Sequence, residues 1–488
     1  MKIGTCLLAG MLGCLAGMTQ AAGPQGTVYQ FTVPKQGSMI ADPTYYCWIP
    51  ADMGTARSLI VHQHGCTRER DAREMMTDLQ WLTLAKKWNS AFIAPSLTTG
   101  SNCANWATIE NGSGDAFLMA LDTLARRSGH PEIKTIPWAL WGHSGGSAWI
   151  TAMTGKYPQR VAVGVAQSCG VDISNVPATL KIPILHHNGK SDICHNDALF
   201  ATGKAKGSLW AHAINPNPIW VTAPTAYSAD IEGHAPHDLR MIAIPWIEAG
   251  LTARLPAQAG GSVLTAMDTS AAWLGNKTSL AIASAASFTG DKSAACWFPN
   301  QAFAKQWAEY MVNGTINDSS LPPPPSNLTG AFANRQIVLK WDANADLETG
   351  IKTFIVYRNG AVLTTLKYNG PTTFFTQATG FQRWQDGDQP APTVAPAMTY
   401  TDSNLNDTGM YAYQISTVNW SDVAGAKSEV LTLKKGQVTV GIGSLRPSAR
   451  PVIRKSSVLC RHARACRVTL PAGRAEIYDL KGKQGTLP

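Results

Sequence analysis

The chain has 488 residues, ten of them cysteine, and a formal net charge of +9. Single hydrophobic cores stop growing near about 250 to 300 residues, so two or three domains are expected. The excess charge is concentrated at the end: from residue 434 onward there are twelve Lys and Arg against Glu476 and Asp479, and the rest of the chain is near neutral. A basic tail can hold nucleic acid, an anionic envelope or an acidic polymer, but nothing resembles a nucleic-acid module, and a solvated tail is the plainer reading.

The opening MKIGTCLLAGMLGCLAGMTQAAG places Lys2 before an apolar run that ends in small residues around Ala21 and Ala22. This reads as a secretory signal peptide over residues 1–22, and the competing readings are a membrane anchor or a lipoprotein acylated on Cys14. No later segment holds the roughly 18 unbroken apolar residues of a membrane helix, so no membrane span is expected. Removing Cys6 and Cys14 leaves eight cysteines, an even number that in an exported chain argues for disulfides rather than a thiol nucleophile or zinc ligands. The expected location is secreted or extracellular, with the periplasm and cell surface as alternatives.

Residues 27–315 read as an α/β domain. Strand-like apolar runs alternate with helical patterns: SLIVHQHG, LQWLTLAKKWN, AFIAPSL, DAFLMALDTLARR and PWALWGHS, then VAVGVAQS, IPILHHNG and PIWVTAP. Such a rhythm indicates a mainly parallel sheet, and uninterrupted apolar strands suit a sheet covered by helices on both faces. Residues 316–326 form the clearest linker, because Pro322 to Pro325 favour a stiff extended conformation that spaces domains apart. Over 327–435 the pattern changes to short alternating strands without helices, QIVLKWD, TFIVYRNG, YTDSNL, YAYQISTVN and SEVLTL, the mark of a β-sandwich. With Trp341, Tyr413 and the leading prolines, and with Tyr411 placed like the corner tyrosine of such sandwiches, this region resembles a fibronectin type III domain. The basic segment 436–488 contains VTLPAGRAEIYDLKGK, another small β region that is similar to C-terminal sorting or attachment modules.

The chemistry centres on Gly142-His143-Ser144-Gly145-Gly146, which fits the G-x-S-x-G nucleophile elbow. The pattern alone is cheap, but PWALW before it is a buried strand and SAWITAMTGKYPQRV after it a helix, as the elbow requires. Acyl transfer needs two donors for the developing oxyanion; the amide of Gly145 and that of Cys66, in the turn His64-Gly65-Cys66 after an apolar strand, are the candidates. Asp192 follows the run IPILHHNG and is placed at the exposed sheet edge shared with the serine; Asp197 is the fallback. After a final strand read at PIWVTAPTAYSADIEGH, His234 is the candidate base and His237 its competitor. His64, His143, Trp141 and Trp149 flank these turns and are candidates for shaping a substrate pocket, although tryptophans bury well. His186, His187 and His195 lie near the acid, but no HExxH or CxxC spacing supports them as metal ligands, so neither a catalytic metal nor a cofactor is expected.

Together HGCT, GHSGGS and the Asp192 and His234 segments resemble the secreted poly(3-hydroxybutyrate) depolymerase and feruloyl esterase branch of α/β-hydrolases. The resemblance covers roughly residues 27–315 and implies a carboxylic-ester hydrolase with a Ser-His-Asp triad acting on a polymeric or bulky ester. It further implies contact with the polymer or a cell surface through the C-terminal modules. Gly145 departs from cutinase-related polyester hydrolases, which usually carry Met after the nucleophile. Feruloyl or acetyl esterase action on plant polysaccharide, and a serine peptidase on the same fold, are the alternatives. Neighbouring strand ends in such a fold would allow Cys66 to pair with Cys103 and Cys169 with Cys194, while Cys460 and Cys466 are close enough to pair locally.

Overall fold

The structure is a computed structural model that describes residues 23–67, 69, 71–190, 192, 194–216, 236–366, 398–406 and 409–434, with four short strands between 458 and 485. The first part builds around strands β1 (Gly26–Thr32), β2 (Thr44–Pro50), β3 (Leu59–Gln63), β4 (Ala91–Ser96), β5 (Trp138–His143), β6 (Val161–Gln167), β7 (Ile184–Gly189) and β8 (Trp210–Asn215). They form one sheet in the order β1-β2-β4-β3-β5-β6-β7-β8. β2 is antiparallel to both its neighbours, and from β4 to β8 every pairing is parallel.

The helices are α1 (Asp71–Glu74), α2 (Leu79–Lys87), α3 (Ala104–Ala107), α4 (Ser113–Ser128), α5 (Gly145–Lys156), α6 (Asp197–Ala205), α7 (Pro236–Arg254) and α8 (Gln301–Asn313). β3, β5, β6 and β7 are buried at every position, as strands covered on both sides must be. Trp138 and Trp141, three positions apart on β5, show the two coverings. Trp138 meets Phe117 of α4, with ring centroids 5.4 Å apart, and Trp141 meets Trp81 of α2 at 6.0 Å, because an odd spacing along a strand turns side chains to opposite faces. This mixed sheet with flanking helices fits an α/β-hydrolase. A small sheet, β10-β9-β11, made of β9 (Trp273–Gly275), β10 (Ile282–Ser284) and β11 (Cys296–Phe298), precedes α8. Among the described residues the last strand of the large sheet is Trp210–Asn215; residues 217–235, which hold the strand expected from Pro218 and the candidate base His234, lie outside the described residues.

Seven further strands follow: β12 (Ser326–Ala333), β13 (Gln336–Asp342), β14 (Thr353–Arg358), β15 (Ala361–Thr365), β16 (Thr399–Asp402), β17 (Met410–Val418) and β18 (Leu431–Lys434). They make two antiparallel sheets, β12-β13-β16 and β15-β14-β17-β18. Ile337, Leu339 and Trp341, alternating inward along β13, share one core with Phe354, Val356, Tyr413 and Ile415 of the other sheet. The hydroxyl of Tyr411 donates to Asn406 O (3.2 Å) and accepts from Asn406 N (2.8 Å), which ties the entry of β17 to the backbone upstream.

The proline run does not hold the two parts at a distance. Leu79 of α2 is buried in the core of the sandwich, Gln80 Nε2 donates to Leu347 O (3.1 Å), and the Ala345 amide donates to Thr83 Oγ1 (3.0 Å). Consecutive prolines constrain the local backbone only; the complementary side of α2 decides the docking. Residues 442–488 form a separate compact unit. Its strands β19 (Val458–Cys460), β20 (Ala465–Thr469), β21 (Ala475–Asp479) and β22 (Gln484–Gly485) make an antiparallel sheet in chain order, and Cys460 stands opposite Cys466 in register. No helix among the described residues is long and apolar enough to cross a membrane.

Disulfides join Cys66 to Cys103 and Cys169 to Cys194. The even cysteine count suggested pairing throughout, but Cys47 and Cys296 are free thiols buried in β2 and β11. Cys296 Sγ accepts from the His212 amide (3.3 Å), and burial pushes its thiol up to about 12, which leaves it a packing group rather than a nucleophile.

Candidate active site

Ser144 stands between the last residue of β5 and the first of α5, at φ 55° and ψ −120°. A non-glycine residue in that region is strained, and such strain gathers where a side chain must be presented. The turn closes because its neighbours are glycine: a Cβ on Gly146 would run into the carbonyls of Gln63 and His64, so β3 and the start of α5 touch backbone to backbone. The Ser144 amide donates to Gln167 O (2.9 Å) and its carbonyl accepts from the Ala148 amide (3.1 Å), fixing the residue from the β6 side and from within the helix. The twelve-residue α5 starts at Gly145, so its N-terminal amides and the positive end of its dipole lie next to the serine.

The loop after β3 reaches the same place. Cys66 Sγ is 4.0 Å from Ser144 Oγ, and the Cys66–Cys103 disulfide lies over Gly145 so closely that a Cβ there would meet both sulfurs and approach Trp106 Cη2 to 3.3 Å. A side chain larger than hydrogen has no room beside the disulfide in the residue after Ser144. His64 anchors this loop: Nε2 accepts from the Leu97 amide (2.9 Å), which leaves the proton on Nδ1 to donate to Gly65 O, and the ring packs edge-on to Trp106 at 5.1 Å.

Asp192, the candidate acid, follows β7 and is 5% exposed, so its side chain is buried rather than displayed at the sheet edge. Its Oδ2 accepts from Ser168 Oγ (2.9 Å) and from the Gly189 amide (2.8 Å). The Cys169–Cys194 disulfide ties the segment after β6 to the loop of Asp192, and Ser168 and Cys169 both have positive φ, 56° and 52°. Asp197, the alternative acid, is at the start of α6, where Oδ1 takes a hydrogen bond from Lys277 Nζ (2.9 Å). The candidate base His234 is outside the described residues; His237 is in the first turn of α7, and its side chain is likewise outside them.

Several candidates for the substrate pocket have packing positions instead. Trp141 is stacked on His62 with centroids 4.2 Å apart, and Trp149 is fully buried with its Nε1 donating to Ser113 Oγ (3.1 Å). Large rings beside a buried strand gain more from the core than from a cleft, and sequence does not state which face they meet. His64 serves the loop as described, and His143, the last residue of β5, is nearly buried. His186 and His187 are pushed down to about 3 by burial and are neutral; His187 Nε2 is 2.8 Å from Tyr310 Oη, and His186 packs on Trp210. His195 lies 3.6 Å from Asp197 and belongs to no group with metal-ligand spacing among the described residues. Among the described residues, the one acidic group with cation-ligand spacing is Asp318, Asp346 and Glu348, at the junction with the sandwich. Its carboxylates already accept from Thr349, Ser320 and Asn419.

No protein-family model matches the chain, and no curated protein does. Solved structures are similar in part. A thermostable esterase is 16% identical, with 38% of this chain and 54% of that one covered, at a TM-score of 0.31. An S-formylglutathione hydrolase from Agrobacterium tumefaciens is 12% identical, with 42% and 91% covered, at 0.31. Poly(aspartic acid) hydrolase-1 from Sphingomonas sp. KT-1 is 17% identical, with 40% and 93% covered, at 0.30. The chain thus spans about half the length of the first and most of the other two. At these scores they are partial likenesses, and the site is read from its own residues.

Proposed function

We propose that this chain is an exported serine hydrolase that cleaves carboxylic esters, with Ser144 as nucleophile, Asp192 as the orienting acid and His234 as the base. The observation that carries the reading is the backbone of Ser144, held at positive φ between a buried strand and a helix N-terminus, with the Cys66 loop against it. In the reaction His234 takes the proton of Ser144 Oγ as the oxygen attacks the ester carbonyl, and the amides of Gly145 and Cys66 face the oxyanion. Collapse expels the alcohol, protonated by His234, and water then releases the acid from the acyl-enzyme by the same steps in reverse. Asp192, hydrogen-bonded from Ser168 and Gly189, holds the imidazole in one tautomer and stabilises its charge. Two disulfides fit an oxidising compartment.

A polymeric ester of the polyhydroxyalkanoate kind is the favoured substrate, with the seven-stranded sandwich read as a fibronectin type III domain that, with the basic C-terminal unit, meets polymer or cell surface. The test is acid release from a polyhydroxybutyrate suspension beside a feruloylated polysaccharide and a peptide panel, with Ser144→Ala as control. Release from the polyester that the substitution abolishes is expected. Release only from the polysaccharide or peptides moves the substrate class, and equal release by both proteins removes Ser144 from the mechanism.

A further inference from the structure

Behind Asp192 a row of polar side chains crosses the ends of β6, β7 and β8 and reaches the β9–β10 turn, a region the sequence reading left without a role. Its first member, Ser168, donates to Asp192 Oδ2 (2.9 Å), since an ionised carboxylate only accepts. Ser168 Oγ is then the acceptor for Asn188 Nδ2 (3.4 Å). The amide of Asn188 has one orientation, because Oδ1 takes the Asn196 backbone amide (3.0 Å) and Nδ2 donates to Cys194 O (2.8 Å).

His212 Nε2, 3.1 Å from Asn188 Oδ1, must therefore carry the proton. Burial, followed by the charge of Lys277, holds His212 well below the usual imidazole range, so it is neutral and Nδ1 is a lone pair. Lys277 Nζ donates to that lone pair (2.9 Å) and to Asp197 Oδ1 (2.9 Å). Every hydrogen bond from the ammonium to the carboxylate points the same way.

We infer that Lys277, acting through His212, Asn188 and Ser168, is a positioning residue that sets the orientation of Asp192. The inference rests on the reading of Asp192 as the triad acid. A chain of aligned donors polarises cooperatively in a buried setting, and loss of either end removes one of the donors that hold Asp192 Oδ2 and leaves the Gly189 amide on it. Among the described residues, the titratable groups around the chain include His186 and His187 from β7, His195, Asp197 and Lys204 on or beside α6, and Cys296 from β11.

The test uses the full chain and p-nitrophenyl butyrate, comparing Lys277→Met, Lys277→Arg and Ser168→Ala with Ser144→Ala and Asp192→Asn. Lys277→Met and Ser168→Ala are expected to lower kcat about tenfold with KM within about twofold, the cost of a misplaced catalytic group. They also move the acid limb of kcat/KM upward by about half a pH unit, Lys277→Met because the opposing positive potential is removed and Ser168→Ala because Asp192 loses a donor that offsets part of its negative charge. Lys277→Arg, which keeps the charge, recovers part of both. An unchanged kcat and acid limb in Lys277→Met and Ser168→Ala overturns the inference, as does a loss that follows the melting temperature without moving the limb. If Lys277→Met fails to fold, Ser168→Ala decides alone. Activity retained by Ser144→Ala or Asp192→Asn is a separate outcome that removes the triad reading itself.

Discussion

Gly145→Ala adds one methyl group at the most crowded point of the site. Its Cβ would sit 2.6 Å from Cys66 Sγ, closer still to Cys103 Sγ, and 3.3 Å from Trp106 Cη2. The disulfide is held at both ends and Trp106 is pinned by Nε1 donating to Thr99 Oγ1 (3.1 Å), so the backbone of Gly145 must yield. Overpacking of this kind costs about 1 to 3 kcal/mol of stability, and, with the Gly145 amide as the proposed oxyanion donor, a shift of about 1 Å costs about a hundredfold in rate. The assay pairs thermal melting with kcat on p-nitrophenyl butyrate, in the native protein and in a Cys66→Ala, Cys103→Ala background. Removing the sulfurs opens the space, so the substitution should lose less activity there than in the native protein, a coupling between contacting residues. Equal losses in both backgrounds, or full activity of Gly145→Ala with the disulfide intact, refute the steric reasoning.

The other expectations are simpler. Asp78 and Arg240 form a buried ion pair that joins the N-terminus of α2 to α7; Asp78→Asn strands the guanidinium and should cost about 3 to 5 kcal/mol in denaturant unfolding, whereas a loss below about 1 kcal/mol would make the pair incidental. Leu79→Ala opens the sandwich core from the side of α2 and should cost about 2 to 5 kcal/mol, read as a lower melting temperature. Burial, with Asp318 beside it, pushes Asp346 up to about 7. The unfolded chain gives up that proton near pH 4 and the folded one near 7, so this group's stability is lost as pH rises through that window and stays lost above it. Asp346→Asn should therefore gain in melting temperature over the native protein from pH 5 to 8, and a constant difference across that range contradicts the assignment.

What was legible in the sequence was local. The elbow could be read because strand, Gly-x-Ser-x-Gly and helix are contiguous, and the sandwich strands could be read because alternation along QIVLKWD or YAYQISTVN needs no partner to be visible. Asp192 could be placed by the apolar run before it, but its burial could not, since that depends on Ser168 and the Cys169–Cys194 link from another strand. Trp141 and Trp149 were ambiguous because the face of a ring is a tertiary fact. Cysteine parity counts thiols without locating them, so Cys47 and Cys296 were unseen as free. The docking of the sandwich depends on Leu79, Gln80 and Thr83 of a helix far upstream, and the prolines carry no trace of it. The chain through Asn188, His212 and Lys277 had one faint signal: polar residues at the ends of otherwise apolar strands.

The most direct measurement is mass spectrometry of the intact and digested protein after treatment with diisopropyl fluorophosphate, with Ser144→Ala alongside. A single diisopropylphosphoryl group on the peptide that contains Ser144, absent from the variant, is the expected result for an activated serine held at this elbow. No adduct on the native protein, or an adduct on another residue that survives Ser144→Ala, would contradict it.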